Sequence, residues 1–436
     1  MDPITLSIVV FIALFVLLAL GLPIGFAMGV TGFVGSLMLI DADAALALLG
    51  QTAYETVITY NLSIVPLFIL MGYFASNSGL SEGLFQACNT WLGHRRGGLG
   101  LATIGGCGAF AAVCGSSLAT AATMTQVALP EMKRFNYDDR LATGAIAAGG
   151  TIGILIPPSV ILVLYGILTE TNIAELFLAG FIPGILTVIA FMLTISVVTR
   201  LDPEIGPRGD ATTLRQKLMA FKNVWGTVVL FILVMGGIYF GFFSPEEAAG
   251  IGASGALALA LIARTMTWQV FLNCLMETVR TSAMIFTILI GAILFNNFLI
   301  LSLVPDAIGG WIQGLALPST AILLIILLIY LVLGCALDSL AMILLTIPIF
   351  YPVVANLGFD PIWFGIVVVM VVELGLITPP IGMNVFIIKG MAPEVPLGAI
   401  YKGVLPFVIA QLLLIALIVA WPDLATWLPS TMAQFQ

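Results

Sequence analysis

The stretch Gly375-Leu376-Ile377-Thr378-Pro379-Pro380 interrupts a long apolar run, and Gly153-Ile154-Leu155-Ile156-Pro157-Pro158 does the same earlier in the chain. Proline lacks a backbone donor and its ring clashes with the preceding turn, so a helix through either stretch must break. In a membrane such a break is tolerated only where the freed backbone groups face protein, water or a bound ion. Two breaks at matching positions in two halves therefore predict a binding site of the kind found in secondary transporters.

Composition indicates that the chain lies in a membrane. Of its 436 residues, 61% are hydrophobic and 8% are charged, whereas soluble globular proteins have roughly 25% charged residues. Apolar segments of about 20 residues, long enough to cross a lipid bilayer, follow one another with short polar interruptions. The net charge of −8 does not indicate nucleic-acid binding, because the basic residues lie in loops. The first apolar run lacks a basic leader and a cleavage site, so we interpret it as a retained span.

The apolar segments form two repeats, residues 1–199 and 224–436, joined by a basic linker over residues 200–223. We expect each repeat to cross the membrane five times. In the first repeat the predicted spans are Ile4–Leu20, Ile24–Ile40, Leu62–Ser76, Ala142–Leu168 and Leu176–Val198. In the second repeat they are Trp225–Phe240, Ala248–Ala263, Met284–Leu301, Trp363–Ile388 and Val404–Ala420. The less apolar segments Asp41–Tyr60 and Trp268–Arg280 are expected to lie along the membrane surfaces. The polar segment that ends at His94-Arg95-Arg96 is expected to be a loop.

Each repeat also contains a predicted re-entrant helical hairpin, which enters and leaves the membrane on the same side. The first covers about residues 99–130, is rich in Gly, Ala, Ser and Thr, and has Gly115-Ser116-Ser117 at its centre. Basic residues flank both of its ends. The second covers about residues 320–351, with its tip from Gly334 to Ser339. Its flanks are acidic: Asp306 and Asp360.

Short motifs recur in the two repeats at nearly one separation. The broken spans, over about residues 142–168 and 363–388, share Gly-x-x-x-Pro-Pro. Two further pairs are Phe181-Ile182-Pro183 with Val404-Leu405-Pro406, and Gly29-x-x-Gly32 with Gly252-x-x-Gly255. An odd number of crossings in each repeat requires the two repeats to have inverted topology.

Charge sets the expected orientation. With the N-terminus outside, all 14 Lys and Arg residues fall on the cytoplasmic side, as the positive-inside rule requires. The outer loops then carry the acidic residues Asp41, Asp43, Glu170, Glu175, Glu246, Glu247 and Asp306. We therefore predict a cytoplasmic linker and place both termini on the periplasmic side.

Two carboxylates lie within apolar surroundings: Asp338 at the second hairpin tip and Glu373 just before the second break. A carboxylate at a helix centre costs about 2.5–3.5 kcal/mol on insertion scales, so its presence predicts a function. The alternative is a protonated or hydrogen-bonded packing residue. Since no Lys, Arg or His lies in a predicted span core, the expected partner is a bound cation or a proton.

Side-chain oxygens cluster at the two hairpin tips and at the two breaks. They belong to Ser116, Ser117, Thr120 and Ser159 in the first repeat, and to Asp338, Ser339, Thr378 and Asn384 in the second. Sodium prefers several oxygen ligands, and broken helices supply backbone carbonyls as well. Hydrogen bonding between helices is the alternative explanation for any single residue. Half-helices that begin at the tips also point amide donors inward, which suits an anionic substrate. With no ATP-binding motif, we expect an ion gradient to drive transport.

These residues resemble a known family. The blocks Gly115-Ser116-Ser117-x-Ala119-Thr120, Gly153-x-x-Ile156-Pro157-Pro158-Ser159, Asp338-Ser339 and Glu373-x-Gly375-x-Ile377-Thr378-Pro379-Pro380-x-Gly382-x-Asn384 are similar to those of the large membrane subunit of tripartite ATP-independent periplasmic (TRAP) transporters, the DctM-like subunit. The resemblance implies an all-α polytopic membrane protein with an elevator-type ion-transporter fold. It also implies sodium-coupled carboxylate uptake through the bacterial inner membrane, a small four-helix membrane subunit, and a periplasmic substrate-binding protein. Because the chain begins with a span, we expect the small subunit to be a separate polypeptide.

On these grounds we predict two sets of site residues. The predicted substrate-binding residues are Ser116, Ser117, Thr120, Pro158, Ser159, Ser339, Pro380 and Asn384. The predicted sodium ligands are Gly115, Ser116, Gly153, Gly334, Asp338, Glu373, Gly375 and Thr378.

Two alternatives stay open at this point. A polytopic membrane enzyme would need a catalytic base near Asp338 or Glu373, and the sequence offers none. A stand-alone divalent-anion:sodium symporter has a similar fold and would transport without partner subunits. C4-dicarboxylates, sialic acid and other sugar or keto acids are all compatible substrates.

Overall fold

The computed structural model describes residues 2–209, 211–305, 307, 310 and 317–432, with the backbone alone at residue 223. Within these residues the regular structure is helical. The helices of the first part are α1 Pro3–Ala19, α2 Ile24–Leu37, α3 Ala42–Ile58, α4 Ile64–Asn77, α5 Leu80–Leu92, α6 Gly98–Cys114, α7 Ser117–Arg134, α8 Asp139–Leu155, α9 Val160–Thr169 and α10 Ile173–Leu201. Those of the second part are α11 Leu214–Tyr239, α12 Pro245–Ile262, α13 Trp268–Leu301, α14 Ser319–Gly334, α15 Ser339–Asn356, α16 Pro361–Gly375, α17 Met383–Met391, α18 Leu397–Ala420 and α19 Asp423–Met432.

Polar residues at the helix starts explain many of these boundaries. A side-chain oxygen of the residue before the helix accepts a hydrogen bond from an N–H group of the first turn, which satisfies a donor that the helix leaves unpaired. The residues that cap helices in this way are Asp41, Ser116, Asp138, Ser159, Asn172, Thr213, Ser244, Thr267, Asp338 and Asp360. Three of them, Ser116, Ser159 and Asp338, lie at the predicted hairpin tips and the first break.

Helices of one repeat pack on helices of the other. Helix α2 lies along α13, and α4 lies along α12. Glycine permits the first contact, because a Cβ at Gly32 would come within 2.6 Å of the backbone of Phe295. At the second contact, a Cβ at Gly252 would meet the sulfur of Met71 at 2.5 Å. The motif Gly29-x-x-Gly32 and its counterpart Gly252-x-x-Gly255 therefore lie at related helix contacts.

Both predicted hairpins are pairs of helices, α6–α7 and α14–α15, and both Pro-Pro stretches separate two helices. Helices α8 and α9 are bent by 43° at the first break, and α16 ends at Gly375 before α17 begins at Met383. The returning helix of each hairpin packs against the short helix of the other repeat, α7 on α17 and α15 on α9. This exchange brings the two tips and the two breaks to one place.

Three sequence predictions about connecting segments need correction. The polar segment before His94 forms helix α5, and α11 begins at Leu214, inside the predicted linker. The surface segment from Trp268 and the span that follows it are one helix, α13. In the first repeat the surface segment and the next span are two helices, α3 and α4, which meet at 57°. The final span is followed by a further short helix, α19. Asp306 lies outside the described residues.

By length and hydropathy, four helices in the described part of the chain are able to cross a membrane, or up to seven if each bent pair counts as one span. Five further apolar helices are shorter, including both helices of the α1–α2 pair and the first arm of each hairpin. These helices make the chain a multi-pass membrane protein.

Candidate functional site

The first hairpin tip approaches the first break through two glycines. Gly115 has φ +63°, a conformation that glycine adopts at no steric cost, and a Cβ there would meet the carbonyl oxygen of Pro158 at 2.6 Å. A Cβ at Gly153 would meet the carbonyl oxygen of Ser116 at 2.8 Å. The Thr120 hydroxyl donates to that same carbonyl at 2.8 Å. Any side chain at either glycine would push the tip away from α8.

The second hairpin tip makes an equivalent approach to α16. A Cβ at Gly375 would lie 2.6 Å from the Cα of Gly334. Asp338 caps α15 with one oxygen, Oδ1, which accepts from the N–H groups of Leu340 and Ala341 at 3.0 Å each. Within the described residues no hydrogen bond reaches Oδ2. The carboxylate of Asp338 thus has a structural role and one oxygen left for a ligand.

Glu373 connects the two tips. Its Oε2 accepts a hydrogen bond from the hydroxyl of Ser117, the first residue of α7. Its Oε1 accepts one from the hydroxyl of Ser339, the first residue of α15, at 3.0 Å. The side chain is 1% exposed. The expected partner of this carboxylate was a cation or a proton, and the structure provides two serine hydroxyls.

The two breaks differ in their surroundings. Residues 156–159 are buried, and the Ser159 hydroxyl caps α9 by accepting from the N–H of Leu162 at 3.3 Å. At the second break Pro379 and Pro380 are exposed, and α17 begins without a side-chain cap. The carbonyls of this break are held instead by Tyr401 of α18. The Tyr401 hydroxyl lies 2.8 Å from the carbonyl oxygen of Pro380 and 2.6 Å from that of Ile381.

Two polar side chains flank the prolines of the second break, with Thr378 before them and Asn384 after them. Asn384 of α17 is fully buried, and its Nδ2 donates to the carbonyl of Ala147 on α8 at 3.3 Å. Its Oδ1 has no hydrogen-bond partner among the described residues. The Thr378 hydroxyl donates to the carbonyl of Leu374 at 2.6 Å. A buried amide oxygen without a partner is costly, which fits a site that a ligand completes.

A cavity of about 180 Å³ lies between the two tips on one side and helices α4 and α13 on the other. From the tips it is lined by Ser116, Ser117, Asp338 and Ser339, and from the opposite helices by Tyr73, Ser76 and Thr281. Asp338 is the charged residue of this lining. Ten predicted site residues do not line the cavity: Thr120 on α7, Gly334 at the second tip, and Gly153, Pro158, Ser159, Glu373, Gly375, Thr378, Pro380 and Asn384 at or beside the breaks.

The sequence interpretation missed four residues at the site: Tyr73, Ser76, Thr281 and Tyr401. Tyr73 and Thr281 face the cavity, where their hydroxyls are 3.0 Å apart, and Tyr401 holds the second break. Each of these residues places a hydroxyl within an apolar helix, and this is the sequence signal that could have identified it. Their spacing gave no reason to link them, because they come from three separate helices.

The fold and the site define a class of protein: a helical membrane transporter with paired hairpins and paired broken helices beside a cavity that contains the carboxylate of Asp338. Residues 11–424 match the family model described as "Tripartite ATP-independent periplasmic transporter, DctM component". The chain therefore belongs to this family, as the large permease subunit of a TRAP transporter, and its relatives are transporters rather than enzymes.

Individual relatives agree with this assignment. The chain is 36% identical over 379 residues to the C4-dicarboxylate TRAP transporter large permease protein DctM of Pseudomonas aeruginosa, covering 86% of this chain and 88% of the relative. It is 30% identical over 418 residues to the sialic acid TRAP transporter large permease protein SiaM of Vibrio cholerae, covering 95% and 96%. It is 33% identical over 416 residues to the isethionate TRAP transporter permease protein DctMQ of Oleidesulfovibrio alaskensis, covering 95% and 64%.

A solved structure shows the same fold. The chain is similar to the Alcanivorax borkumensis YdaH transporter with a TM-score of 0.63 and 16% sequence identity, over 88% of this chain and 90% of that one.

Proposed function

We propose that the chain is the large subunit of a sodium-coupled importer of an organic carboxylate in the bacterial inner membrane. A periplasmic binding protein delivers the substrate, and a small four-helix membrane subunit completes the membrane complex. The names of the relatives support this proposal, because C4-dicarboxylate, sialic acid and isethionate are all organic anions. A C4-dicarboxylate is our first candidate, since the DctM relative has the highest identity of the three.

The cavity between the hairpin tips and helices α4 and α13 is the observation on which the proposal depends. Its walls come from two groups of helices, and the lining on its tip side includes three serines and the carboxylate residue Asp338. Oxygen donors suit a hard cation such as sodium, and amide groups at the starts of α7 and α15 suit an anion. An elevator movement of the hairpins and breaks past α4 and α13 would expose such a cavity to each side in turn.

Two groups of oxygens are the proposed sodium sites. The first lies where the first tip meets α8, at Gly115, Ser116 and Gly153. The second lies where the second tip meets α16, at the residues Gly334, Asp338, Glu373, Gly375 and Thr378. We propose that the substrate binds beside them, at Ser116, Ser117, Thr120, Pro158, Ser159, Ser339, Pro380 and Asn384.

We also propose inverted repeats with both termini in the periplasm. The supporting observation is the segregation of Lys and Arg from the acidic outer loops. In a cysteine-free background, a cysteine at Gly209 should react with impermeant thiol reagents only from the cytoplasm, and one at Asp43 only from outside. Reaction of both from the same face would contradict the inverted topology.

Reconstitution tests the function. The complete complex in proteoliposomes, supplied with the loaded binding protein, should take up substrate when sodium is high outside and should not respond to an equal potassium gradient. Full uptake driven by a proton gradient without sodium would contradict sodium coupling. Uptake by this chain alone, with neither partner present, would instead identify a stand-alone symporter.

A further inference from the structure

Glu373 is the only Asp, Glu, Lys or Arg side chain that is fully buried in the described part of the chain. It lies on α16, two residues before the helix ends at Gly375. It does not line the cavity. A buried ionisable group is expensive in a membrane protein, so its retention behind the cavity, away from the ligand-facing surface, requires an explanation of its own.

Its two oxygens are used in a symmetric way. One accepts from Ser117 and the other from Ser339, and these serines hold the same position in the two hairpins, directly after the capping residues Ser116 and Asp338. Both serines are buried and both line the cavity. A single side chain therefore contacts the cavity-lining hydroxyl of each tip.

Sodium at the adjacent proposed site would keep Glu373 ionised, and the chemistry of the two groups then fixes the direction of the hydroxyls. An ionised carboxylate only accepts hydrogen bonds, and a serine hydroxyl has one proton to donate and two lone pairs. When Ser117 and Ser339 both donate to Glu373, their protons point away from the cavity and their lone pairs stay available on its side, so an anionic substrate would bind at these two residues through the backbone N–H groups of the helix starts. Oxygen lone pairs are what a cation requires.

We propose that Glu373 is a positioning residue that orients the hydroxyls of both tips at once and thereby couples cation binding at one tip to cation binding at the other. This inference rests on the proposed sodium coupling. Besides its proposed place at the second sodium site, Glu373 reaches both tips through the hydroxyls of Ser117 and Ser339.

The isosteric variant Glu373→Gln separates this role from packing. Glutamine keeps the volume and has one accepting oxygen and one donating nitrogen. One serine must then accept from the amide, which occupies one of its two lone pairs and turns its proton away from residue 373, so that hydroxyl becomes a poorer ligand for a cation. Because hydrogen bonds to charged groups are stronger than those between neutral groups, we expect the half-saturating sodium concentration for uptake to rise by about tenfold or more. The maximal rate at saturating sodium should change much less.

A matched control removes a carboxylate elsewhere. Glu394 pairs with Lys133 at an exposed position, and Glu394→Gln should leave the half-saturating sodium concentration within about twofold, as expected for an exposed ion pair. If both variants raised it equally, the effect would come from overall charge and the proposal would be wrong.

The serines supply a second measurement, which remains usable if Glu373→Gln does not fold. Ser117→Ala, Ser339→Ala and the double variant form a double-mutant cycle. If Glu373 couples the tips, the double variant should deviate from the product of the single effects on half-saturating sodium by about threefold or more, as for residues that share one hydrogen-bond network. Effects that multiply within error would overturn the proposal. A wild-type complex that transports without sodium would instead refute the proposed function and leave no sodium dependence to couple.

Discussion

The two hairpin tips are built on one plan but carry different charge. Each tip places a capping residue, Ser116 or Asp338, ahead of a serine that donates to Glu373. The first cap is neutral, and its oxygen lies 3.4 Å from the N–H of Ala119. The second is a carboxylate that accepts two N–H groups at 3.0 Å. The repeats therefore conserve the geometry of the site while the charge is concentrated in the second half.

The breaks show a related difference. The first break is buried and caps its own half-helix with Ser159, whereas the second is exposed at its prolines and depends on Tyr401 from another helix. If the cavity binds sodium, we expect backbone and hydroxyl oxygens to dominate at the first tip and a full negative charge to contribute at the second. The two tips should then respond differently to the same kind of change.

The largest effect on uptake should come from removing the close glycine contact that both tips make. Gly153→Ala would place a Cβ 2.8 Å from the carbonyl oxygen of Ser116, and Gly375→Ala would place one 2.6 Å from the Cα of Gly334. Such overpacking costs about 1–3 kcal/mol, and the strain falls on the tip, so uptake should drop by roughly tenfold or more. Initial rates of uptake, normalised to inserted protein, measure this loss.

The control for the glycine variants is Gly390→Ala. A Cβ at this exposed glycine of α17 meets nothing within 4 Å, and alanine is the better helix former by about 1 kcal/mol. Its uptake should match that of the wild type. Equal losses in all three variants, or none at Gly153 and Gly375, would show that the tips do not rely on these close approaches.

The next effect concerns the charge that distinguishes the second tip. Asn caps a helix about as well as Asp, so Asp338→Asn should insert and fold normally. A unit-charge contact at 4 Å is worth about 4 kcal/mol at an effective dielectric of 20, before desolvation is subtracted. We expect a net loss of about 1–3 kcal/mol, which raises the half-saturating sodium concentration roughly 5- to 150-fold. Uptake measured across a sodium series checks this, and an unchanged sodium dependence would leave Asp338 as a helix cap alone.

Asp138 is the matched control, because it caps α8 through the N–H of Arg140 at 2.7 Å but does not line the cavity. Asp138→Asn should leave the sodium dependence unchanged. The Arg140 side chain donates to this carboxylate and, with burial opposing, holds its pKa below the ordinary aspartate value. A carboxylate whose pKa is lowered in the folded state stabilises the fold at pH values above its ordinary pKa. This stabilisation is lost as the pH falls through the lowered pKa. Acid should therefore lower the melting temperature of the wild type more than that of Asp138→Asn.

The smallest effect is expected at the exposed break. Tyr401→Phe removes the hydroxyl that holds the carbonyls of Pro380 and Ile381. A neutral hydrogen bond contributes about 0.5–1.5 kcal/mol, so the apparent KM for substrate should rise by a few fold while the protein stays folded. A loss of uptake as large as that expected for Gly375→Ala would mean that the exposed second break tolerates substitution no better than the buried first break.

The sequence predicted the repeating parts of the fold and missed the connections between them. Pro-Pro pairs and tip glycines act through local sterics, so the hairpins and breaks were readable from the sequence. Glu373 was recognised as a buried carboxylate, but its partners Ser117 and Ser339 come from two distant hairpins, and no local pattern joins them. Helices α5 and α11 were mistaken for polar loop and linker because charged and polar residues on one helix face lower the mean hydropathy without preventing helix formation.

The most direct test of sodium binding at the tips is the melting temperature of the purified chain in sodium compared with potassium at equal ionic strength. A ligand that binds only the folded state stabilises it in proportion to the logarithm of its concentration once the site is largely occupied. We expect the wild type and Asp138→Asn to melt progressively higher as sodium replaces potassium, and Asp338→Asn to require at least about fivefold more sodium for the same rise. Identical melting temperatures of the wild type in the two salts would contradict a sodium site formed by the hairpin tips.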